Sequence, residues 1–187
     1  DPNLVIYGGR EGDGTISTDD RLWRLLDGTW RDLLGDDSVT GSPPSLGYGL
    51  SVAPGACSPA VVYSGGTLSI FQQSGVDAVE WVSALASGGV APAARSFPSI
   101  VPMDVEPFQL LFGGATSGTL RDDLWLARLG SRSGVTTTCG VDEVEWIELD
   151  LEDGPSARVG QSMVALDSSL TIPRDQDFLL FGGGNHP

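Results

Sequence analysis

The feature of this sequence that most limits its possible folds is a short apolar run that ends in two glycines and occurs four times. The copies end at Gly8-Gly9, Gly65-Gly66, Gly113-Gly114 and Gly182-Gly183, and their first glycines are 57, 48 and 69 residues apart. Self-similarity at a spacing near 50 residues indicates a repeated supersecondary unit. Many glycines between short apolar runs favour strands joined by tight turns.

Two further motifs recur in register with the glycine pairs. A Pro-x-x-Arg block precedes the third and fourth pairs and contributes Arg95 and Arg158. A tryptophan follows each of the first three pairs, at Trp30, Trp81 and Trp146. One unit therefore contains four strands: strand A after the arginine block, strand B ending in Gly-Gly, strand C with an aromatic residue, and strand D beginning near the tryptophan.

Over essentially the whole chain, these motifs closely resemble the kelch repeat family. The resemblance implies an all-β fold, a kelch-type β-propeller of four-stranded antiparallel blades. The repeats predict two complete blades, at 43–85 and 90–150, and two partial blades, strands B to D at 1–36 and strands A and B at 154–187. Because the partial units supply strand B twice, we expect the chain to form part of a larger propeller.

The repeat residues have structural roles in this hypothesis. The glycine pairs let the chain leave strand B at positive φ and approach a neighbouring backbone. The tryptophans fill the space between adjacent blades, and the arginines brace neighbouring blades through hydrogen bonds to backbone carbonyls. The residues concerned are Gly8, Gly9, Gly65, Gly66, Gly113, Gly114, Gly182, Gly183, Trp30, Trp81, Trp146, Arg95 and Arg158.

The charge of the chain argues against two classes of partner. The formal net charge is −15, so the surface repels nucleic acid phosphates and anionic lipid heads. No apolar run has the length of a bilayer span. We expect neither nucleic acid binding nor membrane insertion, and we expect protein partners, within a larger assembly or as the rest of the same propeller.

The sequence gives little support for catalysis. The single histidine is His186, so no Ser-His-Asp or Cys-His set is available, and no cluster of His or Cys ligands suits a metal. Asp13, Asp19 and Asp20 lack the alternating spacing of a calcium loop. We therefore predict a protein that is not an enzyme and that has no cofactor and no metal.

Charged loops between strands B and C are the candidate contact sites for a partner. They contribute Arg10, Glu11 and Asp13 in the first unit, and Arg121 and Asp122 in the third. A rigid repeat scaffold with variable loops favours a non-catalytic protein-interaction or assembly scaffold. Two alternatives stay open: an extracellular carbohydrate-binding or carbohydrate-active propeller, and a structural subunit of a large complex or filament.

The two cysteines fall in loops on the same side of adjacent predicted blades. Cys57 lies between strands A and B of the second unit, and Cys139 lies in a long insertion of the third. They form one disulfide in an extracellular or lumenal protein, or remain two thiols in a cytoplasmic protein.

Overall fold

The structure, a computed structural model, describes residues 4–7, 22–26, 28–32, 39–44, 51–53, 60–73, 79–103, 107–131, 141–150, 152–166 and 177–184. Every regular element in these ranges is a β-strand. The strands are β1 (Leu4–Tyr7), β2 (Leu22–Leu26), β3 (Thr29–Asp32), β4 (Val39–Thr40), β5 (Ser51–Ala53), β6 (Ala60–Ser64), β7 (Thr67–Gln73), β8 (Val79–Ser87), β9 (Ser99–Pro102), β10 (Phe108–Phe112), β11 (Ala115–Thr116), β12 (Thr119–Leu120), β13 (Leu124–Gly130), β14 (Glu143–Leu149), β15 (Val159–Ala165) and β16 (Phe178–Gly184).

Glycine-containing turns reverse the chain between neighbouring strands. The two residues between β6 and β7 are Gly65 and Gly66, with φ of 57° and 93°, and the flanking residues Ser64 and Thr67 are paired. Two consecutive positive φ values match the type I′ turn that suits the right-handed twist of a hairpin. Ser117 and Gly118, at φ 48° and 79°, turn the short β11–β12 hairpin in the same way.

Two four-stranded antiparallel meanders form the main sheet. The first contains β5 to β8, and the second contains β9, β10, β13 and β14. They are joined because β8 and β14 pair in parallel, with Leu85 opposite Glu143 and Ser87 opposite Glu145. The hydrogen-bonded order is β5-β6-β7-β8-β14-β13-β10-β9, and β5 and β9 at its two ends lie beside each other. The result is a nearly closed, mixed, barrel-like sheet.

The predicted kelch-type propeller, with two complete and two partial blades, is therefore wrong. Propeller blades are separate sheets that pack face to face, whereas backbone hydrogen bonds between β8 and β14 join both meanders into one sheet. The repeat motifs specify strands and turns within a unit. They carry no information about which strand edges pair between units, and here that pairing determines the fold.

The hydrophobic core consists of alternate residues of the main strands, directed to one side of the curved sheet. Tyr63 of β6 and Trp146 of β14 meet there edge to face, with ring centroids 6.0 Å apart. The core residues are Val61, Tyr63, Leu68, Ile70, Ala84, Ile100, Leu111, Trp125, Ala127, Leu129, Val144 and Trp146. Trp146 is thus buried inside the nearly closed sheet rather than between blades.

The other two repeat tryptophans also differ from their predicted role between blades. Trp81 is buried and packs on Phe71, its cross-strand partner, with centroids 4.8 Å apart. Trp30 leaves 44% of its surface exposed. It belongs to a separate three-stranded sheet of β1, β2 and β3.

A further hairpin, β15 and β16, forms its own two-stranded sheet. Among the described residues, side-chain hydrogen bonds connect it to the main sheet. The amide Nε2 of Gln161 donates to the carbonyl of Phe112 at 2.8 Å, and the hydroxyl of Ser99 donates to the carbonyl of Gln161 at 2.6 Å. Gln161 is buried at this junction.

Candidate interaction surface

The arginine of the third unit, Arg95, lies in a buried hydrogen-bond network beside the C-terminal end of β10. Arg95 donates from Nε to the carbonyl of Ala93 at 3.0 Å and from Nη1 to that of Gly113 at 3.1 Å. Its two terminal nitrogens also bind the carboxylate of Asp123, at 2.5 and 2.8 Å. The backbone contacts were expected, but both carbonyls belong to the same repeat unit, so Arg95 does not brace neighbouring blades.

Asp123 completes this network from the start of β13. Its side chain is 21% exposed, against 1% for Arg95, and it also accepts a hydrogen bond from Trp125 Nε1 at 2.8 Å. Burial by itself would raise the pKa of Asp123. Hydrogen bonds from Arg95 and Trp125, with the positive charges of Arg95 and Arg121, outweigh it and hold the pKa below its usual value.

Arg158 repeats the backbone contacts of Arg95 in the fourth unit. Nε donates to the carbonyl two residues earlier, that of Ser156, at 2.9 Å, and Nη1 donates to the carbonyl of Gly182 at 3.3 Å. Gly182 is the first glycine of its pair, as Gly113 is in the third unit. Nη2 meets the hydroxyl of Ser156 at 3.1 Å, and no ion pair joins Arg158 to an acidic residue in the described part of the chain.

The glycine pairs that follow β10 and β16 have nearly the same backbone conformation. Gly113 and Gly114 have φ of 69° and 95°, and Gly182 and Gly183 have φ of 71° and 84°. Both pairs approach Gln161: a Cβ on Gly113 would lie 2.7 Å from its Nε2, and one on Gly183 would lie 3.1 Å from its Cβ. Glycine is required at Gly113 and Gly183 for two reasons: the backbone has positive φ, and a side chain would crowd Gln161.

The outward side of the β15–β16 hairpin is apolar. Val164 lies opposite Leu179, and Phe181 follows two residues later on the same side. Val164 is 55% exposed, Leu179 54% and Phe181 75%. We call this surface the hairpin face; its residues are Val164, Leu166, Leu179 and Phe181. Gln161, on the opposite side of the hairpin, is directed to the main sheet.

The sequence Leu-Leu-Phe-Gly-Gly occurs at both β10 and β16, but β10 is buried and β16 is largely exposed. Phe112 is 2% exposed, whereas its equivalent Phe181 is three-quarters exposed. β10 pairs with β9 on one edge and β13 on the other. Among the described strands, β16 pairs with β15 alone. No described strand therefore pairs with the second edge of β16, and the hairpin face beside it is exposed.

An acidic depression of about 750 Å³ lies beside the Arg95 network. Its carboxylates are Asp122, Asp123, Glu148, Asp150, Glu152 and Asp153. In the described ranges, no group of three or more potential ligands is arranged to hold a metal ion. The depression concentrates negative charge on this side of the molecule.

Of the predicted contact residues, the structure describes Arg121 and Asp122. Asp122 lines the acidic depression, and the backbone carbonyl of Arg121 accepts a hydrogen bond from the Arg158 amide at 3.2 Å. Arg10, Glu11 and Asp13 lie outside the described residues, so the predicted first-unit loop has no position here. The same holds for Gly8, Gly9, Cys57, Cys139 and His186.

Sequence reasoning missed three parts of this surface. Asp123 stands two residues before Trp125. That spacing could have been used to predict which carboxylate forms the ion pair with Arg95. The exposed hairpin face has no sequence signal, because the same Leu-Leu-Phe run is buried in β10. Gln161 has none either, since its partners come from distant strands.

Comparison with models of protein families gave no match, and comparison with curated proteins gave no similar sequence. The kelch resemblance therefore rests on the repeat motifs alone. No helix among the described residues is long and apolar enough to cross a membrane.

Proposed function

We propose that this protein is a non-catalytic interaction module that binds an extended polypeptide along the β15–β16 hairpin. The observation that supports this function is the hairpin face, on which three of the four apolar side chains are more than half exposed on one side of a two-stranded sheet. Contiguous exposed apolar surface on a soluble domain is typical of protein-interaction sites.

The second edge of β16, with which no described strand pairs, favours an extended polypeptide over other partners. A strand edge presents backbone N–H and C=O groups that an added strand can pair with, and alternate side chains of that strand then reach the apolar surface. The hairpin offers both the edge and the surface. Loop contacts through Arg10, Glu11 and Asp13 remain a separate prediction from the sequence.

Selection from a random peptide display library tests this function. The wild-type protein is expected to enrich peptides that the double variant Leu179→Ser, Phe181→Ser does not enrich. Because these side chains are exposed, the variant is expected to keep its fold, which circular dichroism checks. The matched control is Leu85→Ser, an exposed leucine on the main sheet that is 52% accessible. The control should enrich the same peptides as wild type.

Equal enrichment by wild type and the Leu179, Phe181 double variant would contradict the proposal. Failure of the wild-type protein to enrich any peptide family would contradict it as well.

A further inference from the structure

The third and fourth units share one arginine site, but only the third contains an acidic partner for it. Arg95 and Arg158 each donate from Nε to the carbonyl two residues earlier and from Nη1 to the first glycine carbonyl of the following pair. In the third unit the guanidinium is completed by Asp123, two residues before Trp125. A ligand of Arg158 would therefore have to supply a carboxylate.

Strand β13 supplies that carboxylate by pairing with β10. Phe112 lies opposite Leu124, and Leu111 lies opposite Trp125. The backbone amide of Gly113 also donates to the carbonyl of Asp123 at 3.3 Å, which places the aspartate beside the glycine turn. Strand pairing therefore brings the carboxylate to the arginine without a separate binding element.

We infer that the edge of β16 binds an extended segment of a partner protein that carries an aspartate two residues before a tryptophan. Its aspartate carboxylate pairs with Arg158, its backbone adds to β16, and its tryptophan lies across Leu180, the equivalent of Leu111. This inference rests on the proposed function, since it specifies which extended polypeptide the β15–β16 hairpin binds.

Three features of the site suit this ligand. The guanidinium of Arg158 is oriented by two backbone carbonyls, so a carboxylate meets a positioned pair of donors rather than a mobile side chain. The residue that follows the aspartate lies opposite Phe181, which is 75% exposed and gains apolar contact. The tryptophan can donate from its indole nitrogen to the same carboxylate, as Trp125 donates to Asp123 at 2.8 Å.

The chain contains a ready probe for the site, its own segment from Arg121 to Gly130, with the sequence RDDLWLARLG. A fluorescein-labelled, end-capped peptide of this sequence is titrated with the full chain, and binding is followed by fluorescence anisotropy. The Arg158→Gln variant is expected to bind at least about tenfold more weakly, because a charge-assisted hydrogen bond contributes about 1.5–3 kcal/mol.

Two matched controls make the measurement specific. The Arg128→Gln variant removes an exposed arginine that pairs with Glu145 at 3.2 Å on the main sheet, and it should bind as wild type does. A peptide with asparagine in place of the Asp123 equivalent should lose affinity for wild type. The same peptide should bind wild type and Arg158→Gln equally, because the two changes remove the same ion pair.

The outcomes separate this inference from the proposed function. If the peptide binds wild type and Arg158→Gln equally, the assigned carboxylate site is wrong. If the labelled peptide does not bind but library peptides still depend on Leu179 and Phe181, the Asp-x-Trp ligand is wrong and the hairpin function stands. If library peptides do not depend on the hairpin face, the function itself fails.

Discussion

Replacement of Asp123 by asparagine is the most informative perturbation of the arginine network. The substitution would keep the size of the side chain but remove its charge, and the new amide group would face the donors of Arg95. The Arg95 side chain is 1% exposed, so its positive charge would stay buried without a counter-charge. Breaking a buried ion pair from one side costs about 3–5 kcal/mol. Because Asp123 is 21% exposed, we expect a loss of about 2–4 kcal/mol in the free energy of unfolding.

Urea denaturation at pH 7, followed by tryptophan fluorescence, measures this loss. The control is Glu145→Gln, which breaks the Arg128 ion pair, where the side chains are 60% and 44% exposed. Exposed pairs contribute less than about 1 kcal/mol. If both variants lose the same free energy, burial of Arg95 does not determine the strength of its ion pair and the reasoning is refuted.

The pH dependence of the same variant provides a second check. The pKa of Asp123 is lower in the folded protein than its ordinary value of 3.8. The ion pair therefore contributes its full stability above that ordinary value, and the contribution is lost as pH falls through the lowered folded pKa. The difference in stability between wild type and Asp123→Asn should be constant from pH 7 to about pH 5 and narrow below the ordinary value. A difference that instead grows as the pH falls would contradict the assignment.

Four further substitutions have expected outcomes that thermal or urea unfolding and hydrogen exchange can check. Gly114→Ala should cost more than Gly118→Ala: both have positive φ, but a Cβ on Gly114 would lie 2.9 Å from a backbone oxygen, whereas Gly118 has open space. We expect about 1 kcal/mol at Gly118 and at least twice that at Gly114. Gln161→Leu removes the bond to Phe112 and should lower hydrogen-exchange protection in β15 and β16 more than in β13. Trp146→Ala should cost about 3–5 kcal/mol through loss of buried aromatic volume.

Local features of the repeat could be predicted because they are set by neighbouring residues. A glycine pair at a strand end requires positive φ, and the pairs at Gly113 and Gly182 have it. The Nε contact of each arginine is also local, since it reaches a carbonyl two residues earlier. Both features depend on chain conformation within one unit.

The closure of the sheet could not be predicted in the same way. It depends on the parallel pairing of Leu85–Ser87 with Glu143–Glu145, about 58 residues away along the chain. Apolar runs such as those of β6 and β10 are compatible with stacked blades and with a nearly closed sheet alike, because both bury the same side chains. The choice between them depends on strand edges, which the repeat motifs do not describe.

The two copies of Leu-Leu-Phe-Gly-Gly, at β10 and β16, indicate why β16 is suited to pair with an added strand. The glycine turn after β16 has φ of 71° and 84°, close to the 69° and 95° after β10, although β10 has a second strand beside it. Arg158 likewise holds the contacts to backbone carbonyls that Arg95 holds next to Asp123. The glycine turn after β16 and Arg158 therefore already have the backbone conformation and the carbonyl contact that their counterparts have beside β13. Binding then orders mainly the incoming segment, and a preformed site retains more of its contact energy as affinity.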